Sequence, residues 1–171
     1  MSEESLSPVV IKRKKILKSE NDCPWGNTDQ DGKGEIEKKK VLKMIHTFTT
    51  NILAKLGKGR RESVYQIALK TALVHKYTEN PISIEHPVPI MYNNERCGTG
   101  YLDILVWGLF FVEVKAVGKI SEKDILQTMS YSRDMGIVGI LINFVQKINT
   151  HNNDIDIYLI QGDSIITHCS A

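Results

Sequence analysis

The chain of 171 residues is 42% hydrophobic and 25% charged, which suits one globular domain with a tail, and its net charge of +2 does not by itself announce a nucleic-acid binder. No apolar run reaches the roughly 18 residues of a membrane span and the first six residues are polar, so a soluble, intracellular protein, cytoplasmic or nuclear, is expected. Cys23, Cys97 and Cys169 stand singly without a Cys-x-x-Cys pair, so neither a zinc site nor a disulfide framework is indicated and free thiols are expected.

Residues 1–34 hold few large apolar side chains and predict a disordered polar leader, with the folded domain spanning 35–171. Within the leader, Lys12, Arg13, Lys14, Lys15 and Lys18 form a basic cluster that could hold phosphates or serve as a nuclear address; the plainer alternative is a solvated tail. The segment from Asp29 imitates the start of an EF-hand loop. It fails at its fifth and twelfth positions, Lys33 and Lys40, so calcium binding is rejected.

From Glu35 to Leu56, the residues Val41, Leu42, Ile45, Phe48, Ile52, Leu53 and Leu56 recur at helical spacing, and Gly57 and Gly59 end the run. A second helix is predicted from about Arg60 to Tyr77, with Val64, Ile67, Ala68, Leu69, Ala72 and Leu73 inward and Asn80-Pro81 as its stop. Glu62 lies in its first turn, where an acid ordinarily answers the helix dipole.

Ile82 to Met91 is β-branched but broken by Pro87 and Pro89, as an edge or irregular strand would be, and Asn93-Asn94 turns the chain. Two apolar runs then flank Trp107-Gly108-Leu109, the pattern of a hairpin. Ser121 caps a third helix, Glu122 to Met135, closed by Gly136, with Gln127 and Tyr131 on one face. Ile137 to Phe144 reads as a buried strand, parallel to its neighbour because a helix precedes it. Ile155–Ile160 and Ser164–Thr167 form a terminal hairpin about Gln161-Gly162-Asp163. The order helix, helix, three strands, helix, strand, hairpin is α/β with a mixed sheet.

The chemistry concentrates in the central hairpin. Alternation along a strand puts Phe111, Glu113 and Lys115 on one face and Val112, Val114 and Ala116 on the other. A hairpin pivoting on Gly108 without a bulge sets Asp103 opposite Glu113, with Cβ atoms about 5 Å apart. A register one residue different would send Asp103 to the other face. Two buried carboxylates need a compensating cation, and magnesium, which prefers oxygen ligands and takes one or two carboxylates, fits. Lys115 could hold a metal-bound water or steady charge on a phosphate. On the triplet alone, Glu-x-Lys is more often the polar face of a one-sided strand.

Gly59-Arg60-Arg61-Glu62-Ser63-Val64-Tyr65 resembles the Gly-x-x-Glu-x-x-Tyr signature of the GxxExxY proteins, a branch of the PD-(D/E)XK nuclease superfamily. The resemblance runs on, in order, through Gly100-Tyr101-Leu102-Asp103, through 112–117, through Gln127 with Tyr131, and through 139–144. It implies a restriction-endonuclease-like α/β/α core, a central mixed sheet flanked by helices. It also implies a divalent-metal-dependent nuclease cleaving DNA or RNA with Mg2+ or Mn2+. Asp103 and Glu113 would hold the metal with the Val114 carbonyl, Glu62 would approach it directly or through water, Lys115 would act on the attacking water, and Gln127 would support the site or contact substrate. The leader has no counterpart in the family, and Asp124 stands where relatives often carry His. The competing expectation is a non-catalytic module on the same fold, binding nucleic acid or protein through a basic rim of Lys58, Arg60, Arg61 and the leader's Lys12, Arg13, Lys14 and Lys15.

Overall fold

The computed structural model describes residues 33–146 and 154–170, with side chains in the first helix from Glu37 onward. The basic cluster at 12–18, the EF-hand imitation before Lys33 and Cys23 lie outside the described residues. Helix α1 covers Lys33–Leu56 and α2 covers Glu62–Lys76. Strands β1 (Ile82–Tyr92), β2 (Glu95–Val106) and β3 (Phe110–Lys115) follow, then α3 (Glu122–Met135), β4 (Val138–Phe144), β5 (Ile155–Gln161) and β6 (Ser164–Ser170). The six strands form one sheet whose spatial order is the chain order. Every neighbouring pair is antiparallel except β3 and β4, which run parallel because α3 carries the chain back between them.

Alternation on the strands builds two cores. Val112, Val114, Ile140 and Ile142 meet Val41, Ile45 and Ile52 of α1 and Tyr65, Leu69 and Leu73 of α2. The opposite face carries Leu105 and Phe111 against Tyr131 of α3, and Leu141 with Ile160 beside Ile125 and Met129. The result is an α/β/α sandwich, the restriction-endonuclease-like arrangement. α3 has the expected ends: Ser121 and Asp124 form a reciprocal capping box, and Gly136 adopts a left-handed φ of 67°. Glycine is also required inside the layers, since a Cβ on Gly139 would come within 2.5 Å of the Phe111 ring.

The inward face of α2 differs from expectation. Val64 and Ile67 are exposed, and the buried stripe is Tyr65, Gln66, Leu69 and Leu73. Apolar residues lie nearly all round this helix, and the large side chains at 65, 69 and 73, spaced one turn apart, take the core. β1 is an edge strand, as its prolines required, and Glu85 interrupts it with a φ of 51°. Asn93 and Asn94, with φ of 48° and 65°, make the tight β1–β2 turn. Of the cysteines, Cys97 and Cys169 are free thiols. No helix among the described residues is long and apolar enough to cross a membrane.

Candidate active site

The loop between α1 and α2 explains the Gly-x-x-Glu-x-x-Tyr spacing physically. Tyr65, one turn into α2, points its side chain back toward the loop. Its hydroxyl donates to the Gly57 carbonyl at 2.7 Å and accepts from the Arg60 N–H at 3.4 Å. Gly59 turns with a φ of 81°, which lets the chain enter α2 through the extended Arg61. Glu62 is thereby the first helical residue, facing the end of β3, and its carboxylate also suits the positive end of the helix.

In the central hairpin Ile104 pairs with Val112, Leu105 with Phe111 and Val106 with Phe110, the register of a pivot on Gly108. Asp103 and Glu113 lie one step beyond the last pair, Ile104 with Val112. The ladder itself stops short of them. Where β2 leaves β3, the Val114 N–H that would have continued the pairing donates instead to Asp103 Oδ2 at 2.7 Å. Asp103 is thus fixed by its side chain.

Glu113 is 2% exposed, and its Oε1 is buried without a hydrogen-bond partner. Burial, and then the charge of Asp103, push its carboxyl up to about 8. Asp103 is raised in the same direction by burial, opposed by the Val114 N–H and Lys115. The Lys115 ammonium lies 3.8 Å from Glu62 and 3.9 Å from Glu113. Burial works to discharge it, but Glu62, Asp103, Glu113 and Asp124 outweigh burial and hold it protonated. Three chain segments, at the α2 start, the β2 end and the β3 end, so converge on one cation and three carboxylates.

Two further residues belong to this arrangement. Gln66 Nε2 donates both to the Asp103 carbonyl at 3.0 Å and to Glu85 Oε1 at 3.1 Å, and Glu85 adds to the negative charge felt by Asp103. No motif marks them. The only signal was a glutamine beside Tyr65 and an acid in a strand that already looked irregular.

The remaining candidates sit differently. Gln127 donates to the Tyr131 hydroxyl at 3.1 Å, on the shared face of α3. Asp124 serves the capping box, and the Ser121 side chain and N–H hold its carboxyl low despite partial burial. Lys58 is paired with Asp154, Arg60 Nε donates to the Leu56 carbonyl at 3.1 Å, and Arg60 and Arg61 are exposed beside Glu62.

The donor set tests what cation would fit. Among the described residues no three His, Cys, Asp or Glu side chains are gathered closely enough to hold a metal unaided. An orphaned, buried Glu113 oxygen beside a fixed Asp103 carboxylate matches magnesium or manganese, which keep waters in most positions. No curated protein and no solved structure matches the chain. The sequence model of one family, the PD-(D/E)XK nuclease superfamily, does match, over residues 39–155. That span is more than half of the chain and includes Glu62, Asp103, Glu113, Lys115 and Gln127. The chain belongs to the PD-(D/E)XK nuclease superfamily.

Proposed function

We propose that the protein is a divalent-metal-dependent nuclease of the GxxExxY type that hydrolyses phosphodiester bonds in DNA or RNA. The observation that carries this reading is Glu113: an acid 2% exposed, its Oε2 3.9 Å from the Lys115 ammonium but its Oε1 buried without a partner, beside a second acid. A purely structural buried acid would have its oxygens satisfied. Asp103 and Glu113 would hold Mg2+ or Mn2+, which when bound supplies an activated water and Lewis-acid stabilisation of the phosphate's charge.

The other roles follow from position. Lys115, held protonated, donates to the attacking water or to the phosphate oxygen on which charge develops. Glu62, 3.8 Å from that ammonium, helps to keep it charged and would reach the metal through water. Gln66 fixes the β2 backbone at Asp103, while Gln127, tied to Tyr131, lies ready for substrate from α3. Arg60 and Arg61 flank Glu62 and would receive the nucleic-acid backbone, with the leader's Lys12, Arg13, Lys14 and Lys15 adding sequence-independent affinity.

The deciding experiment incubates the purified full chain with labelled single- and double-stranded DNA and RNA, with and without magnesium or manganese. Metal-dependent cleavage lost in Glu113→Gln is the expected result. Salt-sensitive binding without cleavage under any of these conditions would instead leave a binding module on the same fold.

A further inference from the structure

We propose that Asn143 and Gln146, at the end of β4, form a clamp that fixes the segment after Lys115 and the loop before Glu62 relative to each other, Asn143 acting as a positioning residue for Lys115. Strand β4 reads Val-Gly-Ile-Leu-Ile-Asn-Phe, and all seven residues are buried. Asn143 is its one polar side chain, fully buried, and it stands in register with Lys115 on the neighbouring parallel strand. The two side chains therefore rise from the same face of the sheet.

The amide of Asn143 is used at one end only. Its Oδ1 accepts from the Val117 N–H at 3.0 Å, while its Nδ2 is buried without a partner. An orphaned buried donor destabilises a fold, and a leucine would fill this place in an apolar strand without one. The Oδ1 contact is the feature that distinguishes asparagine here. The other polar group of Val117 is held as well, because its carbonyl accepts from the Gln146 N–H at 3.1 Å. Both polar backbone groups two residues beyond Lys115 are thus tied to the end of β4.

Gln146 extends the same tie to the other limb of the site. Its Oε1 accepts from the Gly59 N–H at 2.5 Å, three residues before Glu62, and its Nε2 donates to the Phe144 carbonyl at 2.8 Å. The Lys115 ammonium, by contrast, is 3.8 Å and 3.9 Å from its nearest acids, too far for a hydrogen bond to aim it. Its direction has to come from the backbone that carries it, and the clamp holds that backbone. The kinetic consequence rests on the nuclease reading above; the structural tie does not.

The test compares Asn143→Leu and Gln146→Ala in the full chain by NMR, metal titration and single-turnover cleavage. In Asn143→Leu the Val117 amide should exchange with solvent at least about ten-fold faster and the Lys115 side-chain signals should move, as expected when a local tie opens. Cleavage should fall at least about ten-fold with magnesium affinity within about two-fold, since no metal-holding side chain is altered. Unchanged Val117 exchange, or Lys115 signals that stay in place, overturns the proposal. If Asn143→Leu fails to fold, Gln146→Ala decides: faster Gly59 exchange with slower cleavage supports the clamp, and wild-type behaviour in both overturns it. If the wild-type protein cleaves nothing, the nuclease reading falls, and the Val117 and Lys115 signals still decide the clamp.

Discussion

The ring of Tyr65 lies flat on that of Phe144, with centroids 4.2 Å apart and planes 7° from parallel. The stack joins the first turn of α2 to the last residue of β4, and the Tyr65 hydroxyl adds the bonds to Gly57 and Arg60 that shape the loop before Glu62. Tyr65→Phe keeps the stack and removes those bonds. It should cost about 1 kcal/mol, a fall in melting temperature of roughly 2–4 °C, while cleavage drops by about ten-fold through a loosened Glu62. A lowered melt with undiminished cleavage would show that the loop does not govern Glu62.

A pH dependence follows from Glu113. Its carboxyl is raised to about 8 in the fold, by burial and then by Asp103, whereas in the unfolded chain it titrates near ~4.3. Between those values the folded protein keeps a proton that the unfolded chain has released. The stability contributed by this group is present below the lower value and is lost as pH rises through the upper one. The metal-free protein should therefore melt lower at pH 8 than at pH 5.5. Glu113→Gln should remove this part of the slope and out-melt the wild type at pH 8. Magnesium binding at pH 7 should release a proton, read by calorimetry in two buffers of different ionisation heat.

Lys115 and Glu113 separate by what each side chain does for a metal. Glu113→Gln keeps the shape and removes a charged ligand, so magnesium affinity and cleavage should fall together. Lys115→Met removes an ammonium from beside the carboxylates. Metal affinity should hold or rise while the single-turnover rate drops by roughly 100-fold. If both variants cleave as fast as the wild type, the proposed roles fail.

Much of this was legible in the sequence because it follows local rules. The Ser121 cap and Gly136 stop bounded α3, and the pivot of the hairpin on Gly108 set the register that pairs Ile104 with Val112. The orientation of α2 was not legible. Val64 and Ile67 are as apolar as Leu69 and Leu73, and only packing against the sheet selects the stripe running through Tyr65. Gln66 and Glu85 were missed because their role depends on β1 and α2 meeting over Asp103, a contact between segments that no spacing encodes. The splitting of β2 from β3 was likewise invisible. Either an uninterrupted ladder or a side chain capping the Val114 N–H is compatible with the same alternation.

The close approach of α3 to the sheet supplies a test of packing. A methyl on Gly139 would meet the Phe111 ring at 2.5 Å and 2.9 Å and the Thr128 methyl at 3.0 Å. Gly139→Ala should lower stability by about 1–3 kcal/mol, measured by denaturant titration, because both neighbours are buried and neither can swing into solvent. A loss below about 0.5 kcal/mol would mean that α3 can shift to accommodate it.

The strictly sequential strand order sets when during folding the site becomes competent. The bond from Val114 to Asp103 lies within a local hairpin, so the two carboxylates can come together early. The ties from Asn143 to Val117 and from Gln146 to Gly59 must wait until the chain has passed through α3 and β4 has joined β3. A partly folded molecule would hold the acids before its lysine is aimed, and so would be unable to cut. In refolding experiments, recovery of cleavage should lag the signal of Trp107 at the hairpin turn, and simultaneous recovery would contradict this order. If the proposed activity holds, the sequential topology would make it wait on the docking of β4.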